Sequence, residues 1–263
     1  MKKLLITSVI SLFGALIILS ACSDKSTKSV MTPGDTTSTE YTLAREDVDS
    51  TMTDMALDMS EASVWLSRTP GLLAVDDSVG YDSVGGWHFF IRDYSDNHIT
   101  IADADSFRLT ALDGAYQRYR DTLTNIFERR LYRMREWWQN RGDSTTYALT
   151  HYTRFMHWEG LADSVTTVNG NIRRLWHGQD ARRLYNRDVL GSLTDVKLYT
   201  ADLRNGAPYR PFSGTLTAVL VLDVTRPAGQ YHIEGTLTIT FFPDHYHVHL
   251  VRGDNYWDWD VYY

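Results

Sequence analysis

The sequence predicts a mainly β protein, an antiparallel meander that forms a twisted sheet, a sandwich or an open barrel, with one N-terminal amphipathic helix. Two observations predict the strands. Apolar and polar residues alternate in most segments after residue 87, and short turn-forming stretches rich in Gly, Pro, Asp and Asn separate those segments. Short connections of this kind make neighbouring strands antiparallel. A third observation predicts the helix, because methionine and aliphatic residues between 43 and 68 recur at steps of three and four.

The composition is that of a folded, acidic protein. The chain has 263 residues, of which 43% are hydrophobic, and this is enough to bury a core. Its formal net charge is −7, and loss of Lys2 and Lys3 with a leader leaves 24 basic against 33 acidic residues, a net charge of −9. Such a surface repels nucleic acid, so we expect no nucleic-acid partner. A single cysteine excludes an internal disulfide and a thiolate metal cluster.

The first 22 residues have the pattern of an export signal. Two lysines precede an apolar run from Leu4 to Leu19, and small residues follow the run. It ends in Leu19-Ser20-Ala21-Cys22, which resembles the lipobox of bacterial lipoproteins. The resemblance implies that residues 1–21 are a cleaved signal peptide and that Cys22 becomes the acylated first residue of the mature protein. Its acyl chains would then hold the protein on the membrane of the cell envelope.

Lipid on Cys22, and not a membrane helix, is the anchor that we expect. An apolar run of this length can just span a bilayer, but the small residues before the cysteine favour cleavage. Residues 22–42 are rich in Ser, Thr, Asp and Lys and poor in apolar area, which predicts a flexible lipidated tether. Because Ser23 and not an aspartate follows the cysteine, the resemblance implies the outer membrane if the host is Gram-negative.

Residues 43–68 are predicted to form the amphipathic helix. Acidic residues at 47, 49, 54, 58 and 61 take other faces of this helix than the apolar stripe, and Thr69-Pro70-Gly71 ends it. Methionine adapts to irregular gaps, so we expect the stripe to pack on the domain's own core, with a binding groove as the alternative. The stripe consists of Val48, Met52, Met55, Met59, Ala62 and Leu66.

The β-rich domain is expected to occupy residues 72–263. A first hairpin is predicted from Trp87 to Ala102 with its turn at 95–97, and a further strand near Phe107 to Leu112. Asn169-Gly170 is interpreted as a turn dipeptide between two strands. The last third of the chain predicts four successive strands, at 215–224, 231–242, 246–251 and 256–263.

Residues 121–142 carry two patterns at once. Helical spacing of their apolar residues would add a second helix near 125–141 and make the fold α+β. The alternative, which we favour, is an extended arm that turns at Arg141-Gly142-Asp143-Ser144 and pairs with the β-like segment 147–158. The arginines of this stretch are interpreted as a solvated basic face that pairs with neighbouring glutamates. They are Arg129, Arg130, Arg133 and Arg135.

The sequence contains no signature of a common catalytic or phosphate-binding site. Gly-x-Ser-x-Gly, His-Glu-x-x-His and a Gly-rich loop ending in Gly-Lys-Ser/Thr are all missing. This pattern favours a non-catalytic binding or structural module of the cell envelope over an enzyme. The alternative function is a carrier that holds an apolar ligand or lipid in a curled sheet. The expected partners are the membrane and an envelope protein, a glycan or a lipid.

His245, His247 and His249 form the candidate metal site. They alternate with apolar residues, so on a strand the three imidazoles project from one face. Neighbouring members of the trio lie ~7 Å apart along a strand, a separation from which two imidazoles can converge on one ion. With a further donor such as Asp244 or His232, the pattern predicts a Zn²⁺ or Cu²⁺ site. The alternative is an ordinary polar strand face that uses histidine.

Overall fold

The computed structural model describes residues 31–67, 79–140, 143–180, 183–205, 207 and 209–263. Within these residues the chain forms two helices and 13 strands. In chain order they are β1 (Thr32–Pro33), α1 (Thr39–Ser67), β2 (Val79–Asp82), β3 (Trp87–Ser95), β4 (Ile99–Ala111), β5 (Tyr116–Gln117), β6 (Thr124–Asn140), β7 (Asp143–Glu159), β8 (Val165–Asp180), β9 (Arg183–Tyr199), α2 (Thr200–Asn205), β10 (Ser213–Arg226), β11 (Gly229–Phe241), β12 (His245–Arg252) and β13 (Asn255–Tyr262).

The strands of the described residues belong to one open sheet. Its order is β1-β13-β12-β11-β10-β9-β8-β7-β6-β4-β3-β2, and the short β5 pairs with β4. Strands from β2 to β13 pair antiparallel, and β1 adds two residues in parallel to β13. Apart from the two-residue strands β1 and β5, strands that are neighbours in the chain are therefore neighbours in the sheet. The predicted mainly β antiparallel meander with an N-terminal helix is confirmed, and it forms a single sheet.

Helix α1 begins four residues earlier than the sequence predicted, inside the expected tether. The Ser38 hydroxyl accepts a hydrogen bond from the Tyr41 backbone N–H at 3.1 Å, which makes Ser38 the N-cap. The Asp35 carboxylate accepts one from the Thr37 N–H at 2.8 Å and holds the preceding turn. The Ser, Thr and Asp residues that suggested a flexible linker here act as helix caps and turn residues. Residues 31–42 therefore belong to the domain.

Helix α1 packs on one face of the sheet, which we call the inner face. Met52, Met55 and Met59 are buried in the same core cluster as alternate residues of β10, such as Leu216 and Leu220. Each such side chain contributes roughly 1.5–3 kcal/mol when it is removed from water. The stripe of α1 therefore packs on the domain's own core, as expected, and does not line a groove.

The segment 125–141 is a strand and not a helix. Strand β6 pairs with β4 on one side and with β7 on the other. From Phe127 to Leu131 every second residue is buried, which is the period of a strand. The extended arm is confirmed and the α+β alternative is wrong. Of the expected turn, Arg141 and Gly142 lie outside the described residues, and Asp143 and Ser144 are the first residues of β7.

The interpretation of Asn169-Gly170 as a turn is wrong, because both residues lie within β8. A Cβ atom on Gly170 would lie 2.4 Å from the Phe155 carbonyl oxygen, so the glycine permits a close approach of two strands. The Asn169 side-chain oxygen accepts a hydrogen bond from the Asp195 N–H at 2.8 Å, beside an irregularity in the β8–β9 pairing. A bulge and a close backbone approach use the same residue types as a turn.

The other strand predictions hold. Strands β3 and β4 form the expected hairpin, and β4 continues to Ala111, so the further strand predicted near 107–112 is its second half. The four C-terminal strands are confirmed as β10, β11, β12 and β13, each with bounds within two residues of those predicted.

Candidate functional site

The sheet face opposite α1, which we call the outer face, carries an apolar groove of about 750 Å³. The groove crosses β3, β4, β6, β7, β8 and β9, and two rows of paired outer-face residues line it. The first row is Phe89, Ser106, Arg130, Phe155 and Asn171, and the second is Ile91, Ala104, Tyr132, Thr153, Arg173 and Leu190. The volume falls within the roughly 300–1,000 Å³ of small-molecule sites.

The large apolar side chains of the groove are exposed to solvent. Phe89, Ile91, Tyr132, Phe155 and Leu190 are between 36% and 58% exposed. They lie on the other side of the sheet from the buried core, so the core is packed without them. A contiguous exposed apolar patch of this kind marks a site of contact with a ligand or partner.

The charged side chains of the two rows are both arginines. The Arg130 guanidinium lies 4.4 Å from the centre of the Trp87 ring and 5.7 Å from that of Phe155. These are cation–π distances. Arg173 lies 3.5 Å from the Asp188 carboxylate, and both side chains are about half exposed, so this ion pair is weak. The groove is therefore a locally basic, aromatic surface on an acidic protein.

The four arginines of β6 do not form one solvated face, as the sequence suggested. Strand alternation directs Arg130 to the outer face and Arg129 to the inner face, where Arg129 is buried. Its guanidinium lies 2.5 Å from Asp105 and 2.9 Å from Glu61 of α1. Burial opposes the charge of Arg129, but the hydrogen bonds that its guanidinium donates to Asp105 and Glu61 outweigh this effect and raise the pKa of Arg129. Glu128 instead binds Arg108.

Three acidic residues of α1, spaced seven apart, each bind an arginine of the sheet. The pairs are Asp47 with Arg187, Asp54 with Arg174, and Glu61 with Arg129. Seven residues are nearly two helical turns, so the three carboxylates lie along one side of the helix. They hold α1 on the inner face. The sequence interpretation placed these acids away from the apolar stripe but missed their arginine partners; the seven-residue spacing was the available signal.

His245, His247 and His249 share the outer face of β12, as predicted, because the residues between them are buried. Each Nδ1 atom lies within hydrogen-bond distance of a carboxylate. The distances are 2.7 Å from His245 to Asp244, 2.8 Å from His247 to Asp260, and 2.6 Å from His249 to Asp258. A carboxylate on Nδ1 orients an imidazole and favours Nε2 as the ligand atom, as in many metal sites. Sequence reasoning missed Asp258 and Asp260, although their alternation with Trp257 and Trp259 was the signal.

The geometry around the trio falls short of a complete metal site. In the described ranges, no group of three or more His, Cys, Asp or Glu side chains is placed to hold a metal ion. His232, an expected further donor, lies on β11 with its Nδ1 2.6 Å from Asp223. The hydrogen bond with Asp223 is the main cause that raises the pKa of His232. The Zn²⁺ or Cu²⁺ site remains a prediction.

The predicted lipidation site, Cys22, lies outside the described residues. Neither α1 nor α2, the helices of the part of the chain that is described, is long and apolar enough to cross a membrane. Comparisons of the chain with protein-family models, with curated proteins and with solved structures found no match.

Proposed function

We propose that this protein is a lipid-anchored module of the cell envelope that binds an acyl-chain ligand in its outer-face groove and catalyses no reaction. In a Gram-negative host its place would be the outer membrane. The observation that carries the proposal is the exposed apolar groove of about 750 Å³ on a sheet whose core is packed without it. The membrane anchor rests on the lipobox-like end of the leader at Cys22.

The dimensions of the groove suit one acyl chain. Six neighbouring strands spaced by ~4.8 Å span roughly 24 Å. An acyl chain in one bilayer leaflet covers ~15 Å, half of the hydrocarbon thickness, so one chain fits along the groove with room for a head group. The two rows of side chains lie ~7 Å apart along the strands, so they contact an acyl chain from both sides.

The expected binding is reversible. A fully buried methylene contributes ~0.8 kcal/mol, and a groove that is open on one side gives about half of that. Twelve methylenes then supply ~5 kcal/mol, which corresponds to a dissociation constant near the millimolar range before any contribution from a head group. A ligand held this weakly can be taken up from and returned to a membrane close to the anchor.

In-cell photo-crosslinking tests the proposal on the full-length protein. The photoreactive residue p-benzoylphenylalanine replaces Phe155 in the groove, and Tyr262 in the matched control. Tyr262 is an aromatic residue of β13, 70% exposed and outside the groove. After irradiation, mass spectrometry of the purified protein should show lipid-sized adducts at position 155 and few at position 262.

Three results would reject an acyl-chain ligand. Protein-sized or glycan-sized adducts at position 155 would show that the groove docks another macromolecule. Equal lipid adducts at positions 155 and 262 would show unspecific contact with the nearby membrane. Absence of any adduct at position 155, with the photoreactive residue intact before irradiation, would leave the groove without an occupant.

A further inference from the structure

We infer that the groove ligand is an anionic amphiphile whose phosphate or carboxylate head is bound by Arg130 and Arg173. The inference rests on the proposed acyl-chain function and adds the chemical class of the head group. Its first support is charge. The groove lining holds three arginines, at 130, 154 and 173, against one acidic residue, Asp105, although the chain as a whole carries a net charge of −7. A neutral apolar ligand would not require this local reversal of charge.

The arginines stand on both sides of β7. Arg130 pairs with Phe155 of β7 in the first row, and Arg173 pairs with Thr153 of β7 in the second. Two strand spacings and one row therefore separate the arginines, roughly 12 Å between their Cα atoms. Two long side chains can converge over β7 from these positions. A head group located there would lie between two guanidinium groups.

Neutral donors flank the arginines, and one of them, Thr153 of β7, lies between their two strands. Ser106 and Asn171 are in the first row and Thr153 is in the second, and each can donate a hydrogen bond to a head-group oxygen. The guanidinium group is planar and presents several donors to one phosphate or carboxylate. Asp105, which borders the groove, does not compete, because its carboxylate binds Arg129 on the inner face.

The expected ligand is a lipid and not a free anion. Both arginines are exposed, so water and salt weaken their attraction for a small anion. The apolar rows supply attraction that a free phosphate cannot use. Chain and head group must therefore belong to one molecule for both parts of the groove to be engaged.

Calorimetry on the full-length protein in a nonionic amphipol tests the inference. The probes are dodecyl phosphate, the zwitterionic dodecylphosphocholine and inorganic phosphate, with both amphiphiles below their micelle-forming concentrations. Dodecyl phosphate should bind roughly tenfold more tightly than dodecylphosphocholine, and inorganic phosphate should give no measurable heat.

Variants locate the charge that causes the preference. In the double variant Arg130→Gln and Arg173→Gln, the two amphiphiles should bind equally, with the affinity for dodecylphosphocholine unchanged. Arg183→Gln is the matched control, because Arg183 is as exposed as Arg173 and also pairs with an exposed aspartate, but outside the groove. This control should keep the tenfold preference.

The outcomes separate the inference from the proposed function. Equal binding of both amphiphiles to the unmodified protein overturns the anionic head group and leaves the acyl-chain function standing. Binding of neither amphiphile refutes the acyl-chain function itself. If the double variant still prefers dodecyl phosphate, residues other than Arg130 and Arg173 bind the head group, and the inference is wrong. If inorganic phosphate binds as tightly as dodecyl phosphate, the site binds a free ion and not a lipid, and the inference is also wrong.

Discussion

The contact between α1 and the sheet should depend on the buried pair of Asp47 and Arg187. The two side chains are 2% and 1% exposed, and Nε of Arg187 lies 2.5 Å from Oδ1 of Asp47. The same guanidinium donates to the Asp47 carbonyl at 2.9 Å and to the Thr51 hydroxyl. Arg187→Met leaves a buried carboxylate without this partner. Loss of one partner of a buried ion pair costs about 3–5 kcal/mol, out of a total stability of about 5–15 kcal/mol for a typical domain.

The double variant separates the charge from the packing. When Asp47→Leu accompanies Arg187→Met, no buried charge remains at this place, and an apolar pair often restores the stability of an ion pair. We expect the double variant to recover at least ~2 kcal/mol of the loss, short of full recovery because the hydroxyl of Thr51 loses a hydrogen bond worth ~1 kcal/mol. The positive charge of the nearby Arg174 also lowers the pKa of Asp47 and stays in place when Arg187 is removed. We therefore expect the loss of stability in Arg187→Met to lie at the lower end of its range.

The pH dependence follows from the same carboxyl group. Burial raises the pKa of Asp47 from its ordinary 3.8 to about 6, against the opposing effect of Arg187. Between pH 3.8 and about 6, Asp47 holds a proton in the folded state that it has lost in the unfolded state. Protonation of Asp47 therefore stabilises the folded state fully below pH 3.8, and this stabilisation is lost as the pH rises through about 6. A protonated Asp47 does not need Arg187. The cost of Arg187→Met should therefore be smaller at pH 5 than at pH 8.

Urea unfolding of the full-length protein, followed by tryptophan fluorescence at pH 5 and pH 8, measures these free energies. Arg183→Met, which removes an exposed ion pair with Asp180, is the control and should stay within ~0.5 kcal/mol of the unmodified protein. A loss of less than ~1 kcal/mol for Arg187→Met at pH 8 would contradict the importance of the buried pair. Simple addition of the losses caused by Arg187→Met and Asp47→Leu, or equal losses at pH 5 and pH 8, would contradict it as well.

Three further predictions concern the anchor, the histidines and the strand glycine. Cys22→Ala should release the protein from membranes, and globomycin should make the uncleaved precursor accumulate. If the Cys22→Ala protein still sediments with membranes after a high-salt wash, lipid does not anchor it. Zinc should bind the unmodified protein at pH 7.5. His247→Ala should weaken that binding in calorimetry, and equal affinity or no heat at all would leave the trio as a polar strand face. Gly170→Ala should lower the urea midpoint of unfolding, because the new Cβ atom is forced against the Phe155 carbonyl oxygen. Gly80→Ala is the control and should change the midpoint little, since the nearest atom to its new Cβ lies at 4.0 Å. Equal midpoints for the two variants would show that β7 and β8 can separate at no cost.

The sequence by itself determined those elements in which one face is regularly buried and the other is exposed. Residues 215–263 alternate with period two because one face of each strand packs on the core and the other meets water, and the four strands lie where this pattern predicted them. The helix stripe of Met52, Met55 and Met59 carries the corresponding helical period. The face shared by the three histidines of β12 followed from the same alternation.

Partners distant in sequence are what only the tertiary structure decided. The pattern of residues 124–140 was ambiguous because Arg129 is polar in sequence but buried in the fold, where Asp105 and Glu61 neutralise it. The groove has no local signature, since its rows take single residues from six strands between positions 89 and 190. Strand register brings those residues together, and register is set by the pairing of whole strands, so no short stretch of sequence contains the site.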